Sequence, residues 1–596
     1  MKGIKEYING NLFILGLAFK FVPFLTVAIA IIFIISSVVS YGSFYVLGKL
    51  VDAMASGVSM VDNNLLWLTI LYAIFSTVPH ILSNIRRFLH RKFNLEFSKE
   101  IEIYILSGRE KIDIVHYENP EFQDLIQRAF RNGLGPMYNI TGGQFNFLWD
   151  LASFITGSIF IIGFSPKIYL IIFLTALPGF LIDIKFTGRG WSIWSKDSPE
   201  QRRFADLRQH INSKTFLIET KLLNSKSKIL NWIRDILTEF KAKQIKNEKS
   251  RVWVASLGDF LAFFGTVWAL YLVTQQIVGG DTKIGSIVFF IGVISRAKEA
   301  INSIFVDISN SYEDILIVND MKAVIDTKPL IVESKNPVKL SLNTAPEIVF
   351  ENVGFKYQNS EKWSLRNVNL TFKAGDNIGL VGNNGAGKST LVKLLCRIYD
   401  PTEGRILING IDLKEVSTKE WWSYMSVMFQ DYATYDFIVQ DAIAISRPDK
   451  KTNLTKVIEA GKLSQSHEFI MEWENKYNEQ LGVEFKGKEP SKGQRQKLAI
   501  ARVLYRDGFV MILDEPTASI DAESEAKIFD SIESLPKDRT ALLISHDFST
   551  ISNCDKIFVL DKGELAEEGT HKELMSKKGM YAELYNLQAK RFKKIK

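Results

Sequence analysis

The 596-residue sequence predicts a multi-domain fold, an all-α membrane domain of six spanning helices joined to a soluble α/β domain. Two observations carry this. Long apolar runs are confined to residues 1–320, and from residue 345 the pattern changes to short alternating runs interleaved with amphipathic helices. A chain of this length exceeds what one hydrophobic core organises, so two domains are the expected minimum. The boundaries read as 1–327 for the membrane domain, 328–345 for a polar, proline-containing linker (TKPLIVESKNPVKLSLNTAPE spans it), and 346–596 for the α/β domain.

A bilayer crossing needs roughly 20 mostly apolar residues. Six runs qualify: 21–47 (FVPFLTVAIAIIFIISSVVSYGSFYVL), 64–85, 144–164, 167–187, 252–278 and 284–306. The last two are the weakest, because Asp259, Arg296, Lys298 and Glu299 interrupt them. The segments after the second and fourth runs are long and dense in Lys and Arg, with amphipathic repeats that extend helices beyond the bilayer. The other connections (GKLVDAMASGVSMVDNN, SPK, QQIVGGDTKIG) are short and poor in positive charge. The positive-inside rule puts the basic segments and both termini in the cytoplasm. The first run is too long for a signal-peptide core and has no small-residue cleavage site behind it. Asp150 and Asp259 each sit among apolar residues, where an ionisable group is costly. Each either fixes packing against a polar group on a neighbouring helix or lines a substrate cavity.

The two cysteines, Cys396 and Cys554, cannot build a disulfide framework or a four-ligand zinc site. The net charge of +7 is modest for this length, and no nucleic-acid recognition motif accompanies it, so nucleic acid is not an expected partner.

The chemistry lies in the second half. VNLTFKAGDNIGLVG alternates like a strand and feeds into GNNGAGKST, residues 382–390, followed by a helix. Gly382, Asn383, Asn384, Gly385, Ala386, Gly387, Lys388, Ser389 and Thr390 thus follow the G-x-x-x-x-G-K-[ST] pattern. The loop amides and helix N-terminus cradle polyphosphate, Lys388 reaches the outer phosphates and Ser389 ligates Mg²⁺. FVMILDEP is an apolar run ending in two carboxylates. It would deliver Asp514 to the Mg²⁺ shell and leave Glu515 to polarise an attacking water. ALLISHD ends another buried-strand pattern with His546 where it could touch the γ-phosphate.

These motifs, joined to a six-run membrane domain, resemble the ATP-binding cassette (ABC) exporters, in the half-transporter format of one membrane domain and one cassette. The resemblance implies further roles. Tyr357 in GFKY matches the aromatic that stacks on adenine. Gln430 in VMFQD matches the glutamine that senses Mg²⁺ and the γ-phosphate. ASID, with Ser519 and Asp521, is similar to the loop that crosses to a partner cassette. PSKGQ, with Ser491, Lys492, Gly493 and Gln494, matches the signature that closes over ATP bound to the other subunit, so the resemblance implies a dimer, with a second copy or a related half-transporter. HYENPEFQDLIQRA (116–129) and NSKSKILNWIRDI (224–236) stand where coupling helices would lie.

The resemblance further implies ATP-driven export across the bacterial cytoplasmic membrane. FQDYATYDFIVQDAIA and HYENPEFQD point to the exporters of ribosomally made antimicrobial peptides, of lantibiotic or lasso-peptide type. About 20 residues precede the first run, without a cysteine, where peptide-cleaving members carry a protease domain. A drug or lipid exporter shares the same architecture, and an ATP-gated channel or regulatory subunit is the reading from another class. The signature departs from the family's L-S-G-G-Q at Pro490 and Lys492. A lysine keeps the backbone amide available if φ is negative. If the position demands positive φ, the side chain costs about 1 kcal/mol and closure weakens.

Overall fold

The computed structural model describes residues 2–56, 63–130, 133–193, 199–279, 283–358, 360–517, 519–534, 536–545 and 548–593. It divides into two compact units, Met1–Ile112 with His116–Lys328, and Asp113–Val115 with Pro329–Lys596.

The first unit is all helix: α1 (Lys2–Phe21), α2 (Pro23–Ala55), α3 (Asn63–Glu110), α4 (Ile114–Tyr117, shared with the second unit), α5 (Pro120–Phe130), α6 (Gly135–Phe164), α7 (Pro166–Ile193), α8 (Pro199–Asn212), α9 (Lys214–Leu222), α10 (Lys226–Val278) and α11 (Gly285–Ile325). The six expected spans fall on α2, α3, α6, α7, α10 and α11. Among the described residues, α2, α3, α6 and α10 are long and apolar enough to cross a membrane by themselves, and α7 carries a shorter apolar stretch, Pro166–Gly179. In α11 the charges at Arg296, Lys298 and Glu299 break the run.

Two elements differ from the sequence reading. The residues before the first span form a helix of their own. Its Gly10 lies against Ile315 of α11 and its Tyr7 hydroxyl is 2.9 Å from that of Ser311. Residues 224–236 are not a separate helix. After a turn with Asn224 at φ +51°, they begin the 53-residue α10, and the short helix beside that turn is α9.

Helix contacts in the first unit depend on small residues, as expected where lipid offers no hydrophobic drive to pack one helix on another. A Cβ on Gly285 of α11 would lie 1.9 Å from the Gly48 carbonyl oxygen of α2, so the two backbones touch. The Gly285 N–H donates to the Asp52 carboxylate at 2.6 Å across the same contact. Gly258 of α10 meets Gly179 of α7 in the same way, and the Tyr41 hydroxyl of α2 donates to the Ser153 carbonyl of α6 at 2.6 Å.

The second unit holds two sheets. A four-stranded antiparallel sheet runs in the order β2 (Leu365–Phe372), β1 (Ile348–Phe355), β4 (Glu403–Ile408), β5 (Ile411–Asp412). A six-stranded sheet runs β10 (Glu564–Gly569), β9 (Lys556–Asp561), β3 (Asn377–Gly382), β8 (Thr540–Ile544), β7 (Val510–Asp514), β6 (Met425–Met428). All but β10 are parallel there. The central β7 and β8 are buried on both faces, so they read as continuous apolar runs. The helices are α12 (Lys388–Leu395), α13 (Thr418–Ser423), α14 (Val439–Ala444), α15 (Leu454–Leu463), α16 (His467–Met471), α17 (Lys492–Arg506), α18 (Ala522–Glu533), α19 (Phe548–Ile551), α20 (His571–Lys577) and α21 (Met580–Lys593).

The backbone contact of α2 with α11 gives a direct test. Gly285→Val is expected to destabilise the protein by about 1–3 kcal/mol through overpacking, read as a lower melting temperature in detergent. Gly163→Ala, where an added Cβ meets nothing within 4 Å, is expected to leave it unchanged.

Candidate functional site

The parallel strand β3 ends at Gly382, and the chain turns through residues 383–387 into α12. Two glycines make that turn. Gly385 has φ +79° and Gly387 φ +105°, and a Cβ on Gly387 would also lie 2.8 Å from the Ser364 carbonyl oxygen. The Lys388 ammonium folds back over the loop and donates to the carbonyls of Gly382 at 2.8 Å and Asn383 at 3.2 Å. Over this loop lies a cavity of about 520 Å³, lined by Asn384 through Thr390 and, from distant parts of the chain, Gln430, Asp514 and Glu515.

The acidic pair comes from the end of β7. Asp514 is 5% exposed, the last residue of a wholly buried strand. Glu515 follows at φ +50°, uncommon for a residue with a side chain. Its N–H donates to the Ile544 carbonyl of β8 at 2.8 Å, and its carboxylate accepts from the Gln430 amide at 2.9 Å. Burial, and then the Glu515 charge, push the Asp514 carboxyl up to about 6 against the pull of Lys388. Burial also lowers the Lys388 ammonium, opposed by Glu515 and Asp514. The three charges share one poorly solvated space.

The signature stretch closes a local circuit. Ser491 caps α17: its hydroxyl accepts from the Gln494 N–H at 3.2 Å, and its own N–H donates to the Gln494 side chain at 2.9 Å. Lys492 is the first helical residue, exposed, and is not among the residues with positive φ. A Cβ on Gly493 would lie 2.7 Å from the Ser519 carbonyl oxygen, so glycine there answers a close approach and not a backbone twist. Ser519 donates its N–H to the Gln496 side chain at 2.9 Å, and Gln496 donates to the Glu515 carbonyl at 3.2 Å. Asp521 caps α18 by accepting from the Ser524 N–H at 2.9 Å.

Sequence reasoning passed over Gln496, which is 3% exposed and joins α17, the end of β7 and the Ser519 loop. It also passed over Trp363, Lys362 and Ser360, which line the cavity. The available signal was an aromatic just before β2, the strand that precedes the loop-bearing β3. Tyr357 lies edge-on to Phe355 and Tyr399, and its hydroxyl is 3.2 Å from that of Thr390. His546 lies outside the described residues, as does Ala518. In the first unit, Asp150 is buried in α6, whereas Asp259 is exposed on α10 beside exposed Leu257 and Phe260. They are not brought together.

Residues 365–518 match the family described as ABC transporter. The leukotoxin translocation ATP-binding protein LktB of Mannheimia glucosida is 30% identical over 533 residues, 87% of this chain and 72% of that protein. The chain belongs to the ABC transporters. The subtilin transport ATP-binding protein SpaT of Bacillus subtilis is 25% identical over 552 residues, 92% of this chain and 89% of that protein. The solved structure of a bacterial Atm1-family ABC exporter with ATP bound has a TM-score of 0.81 over 95% of this chain and 98% of that one, at 22% identity. This ABC exporter therefore joins a helical membrane part to an ATP-binding cassette, and ATP hydrolysis is coupled to export.

The charge cluster gives the ABC exporter a pH signature in the absence of nucleotide and metal. The Asp514 carboxyl titrates near 6 when folded and near 3.8 when not, so its neutral form is favoured by folding. That stability is full below about pH 4 and is lost as pH rises through 6. Asp514→Asn is expected to melt higher than the wild type at pH 8, by on the order of 2 kcal/mol. The gap closes by pH 4 to 5, as followed by nucleotide-free melting across pH.

Proposed function

We propose that residues 346–596 act as the motor and residues 1–327 as the transport domain, joined by the linker 328–345, and that the cargo is a ribosomally made peptide. The observation that carries the motor assignment is the Gln430–Glu515 hydrogen bond at the mouth of the phosphate-loop cavity. Two residues 85 positions apart meet where the terminal phosphate of ATP would lie.

In this reading Tyr357 stacks on adenine, the 382–390 loop wraps the phosphates, and Lys388 exchanges its two carbonyl partners for phosphate oxygens. Ser389, Gln430 and Asp514 are the residues that would hold Mg²⁺. The donor set fits such an ion: a hydroxyl, an amide and one buried carboxylate are too few for a metal cage among the described residues, and Mg²⁺ takes its remaining ligands from phosphate and water. Mg²⁺ held there would supply charge neutralisation to the phosphates. Glu515 orients the attacking water and accepts its proton, with His546 at the γ-phosphate. Ser491, Lys492, Gly493 and Gln494 close over ATP held by the partner, with Ser519 and Asp521 at the crossing loop. Two chains therefore complete each site, as a homodimer or with a related half-transporter. ATP binds the closed pair better than the open one and so shifts the population toward closure.

The cargo reading is supported by SpaT, whose name specifies subtilin transport, and by the resemblance of FQDYATYDFIVQDAIA to the peptide-exporting branch. The protein is placed in the bacterial cytoplasmic membrane, with the cassette and both termini on the cytoplasmic side by the positive-inside rule.

Purified protein in lipid nanodiscs is expected to hydrolyse ATP with Mg²⁺ present, and Glu515→Gln to reduce turnover about 100-fold or more while retaining ATP binding. Activity that survived this substitution would remove Glu515 from the chemical step.

A further inference from the structure

A second cavity lies within the first unit, between α2, α3 and α6, with a volume of about 360 Å³. Its charge has one sign. Arg86, Arg87, His90 and Arg91 of α3 line it together with the amides of Asn94 and Asn146. They follow directly on the apolar run 64–85, at its cytoplasmic end by the charge rule. Among the described residues, none of the three arginines has a carboxylate within 4 Å, although several exposed pairs elsewhere in the same unit do.

Arg86 is held in a fixed place. Its guanidinium lies 4.6 Å from the Phe33 ring centre and 4.5 Å from that of Trp149. Arg296 of α11 approaches the same Trp149 ring at 5.4 Å, and its Nε is buried with no hydrogen-bond partner among the described residues. Asn94 lies 3.4 Å from His90 through its amide nitrogen, while its amide oxygen is buried and unpartnered. Rotating that amide by half a turn lets the oxygen accept from His90 and turns a free N–H₂ to the unpartnered side. Arg87 donates to the Asn84 side chain, Arg86 is half-buried without a carboxylate partner, and planar guanidinium forks pair best with carboxylate or phosphate.

We propose that this cavity binds an acidic group of the exported peptide, a side-chain or C-terminal carboxylate, and so selects acidic cargo. The proposal rests on the peptide reading above. The pocket is too small for a whole peptide and suits one acidic end, with Phe33 and Trp149 beside it for apolar neighbours. An anionic lipid headgroup carries related chemistry, but the peptide is favoured by the two amides, which offer partners to a peptide backbone.

The test uses the full-length protein in phosphatidylcholine nanodiscs and two short Leu/Ser-rich peptides. One ends in Asp-Asp with a free carboxylate, and its twin ends in Asn-Asn amide. The acidic peptide is expected to bind about tenfold or more tightly than its twin, and Arg86→Gln with Arg91→Gln to bring the two affinities together. The wild-type comparison needs no variant, so a misfolded variant does not obscure it. Equal binding of the twins by the wild type overturns the acidic pocket and leaves the peptide reading standing. Binding of neither overturns both. If only phosphatidylglycerol added to the nanodiscs stabilises the protein, and does so through Arg86 and Arg91, the pocket holds a lipid headgroup and the proposal is wrong.

Discussion

The cassette depends on one backbone constraint, the left-handed turn of Glu515 at the end of a fully buried strand. A residue with a side chain occupies that conformation at a cost of about 1–3 kcal/mol and keeps it only when its surroundings over-determine it. Here they do: the Glu515 N–H is fixed to β8, its carbonyl to Gln496 and its carboxylate to Gln430. The turn swings the carboxylate toward the phosphate loop while leaving Asp514 in the strand. Two adjacent acids thereby acquire different environments. Asp514 is desolvated and titrates near 6, whereas Glu515 is partly exposed and hydrogen-bonded through its side chain.

Gln496 extends that constraint to the signature helix. Through one buried amide it ties Glu515 to Ser519, and Gly493 presses against the Ser519 carbonyl. The residues read as facing a partner's ATP and those read as cleaving the chain's own ATP are thus joined by the Gln496 hydrogen bonds and the Gly493–Ser519 contact. The membrane unit is held by a different device, glycine-to-backbone contacts between α2 and α11 and between α7 and α10, because apolar surface gains nothing by leaving lipid.

Much of this was legible in the sequence, for identifiable reasons. The phosphate loop and the DE pair could be found because phosphate chemistry restricts residue type and spacing together, whereas Gln430 was reached only through the family resemblance. The apolar runs were legible because bilayer thickness sets a length, and they fall on helices, four of which are long and apolar enough to cross a membrane among the described residues. What could not be read were features fixed by tertiary contact. The first 20 residues carry too little apolar bias to declare a span, yet α1 forms and packs through Gly10 and Tyr7. Residues 224–236 have the amphipathic pattern of a separate helix, but the break comes earlier, at Asn224. Gln496 looks like any polar residue of an amphipathic helix until its two partners, 19 and 23 positions away, fold against it.

Lys492 shows the same limit most clearly. The sequence leaves two outcomes for a lysine in place of the signature glycine, and they differ only in the sign of φ. In the structure the signature is a serine-capped helix start, and Lys492 sits in its first turn with ordinary helical backbone. The glycine that packing requires is the next one, Gly493. This ABC exporter is therefore expected to have a working ATP site despite its unusual signature. The most direct measurement is steady-state ATP turnover of Lys492→Gly against the wild type, both in nanodiscs with saturating ATP and Mg²⁺. Turnover is expected to stay within about threefold, since the backbone amide is already available and a glycine at a helix start costs at most about 1 kcal/mol. A rise of about tenfold or more, equivalent to about 1.4 kcal/mol of barrier, would contradict it.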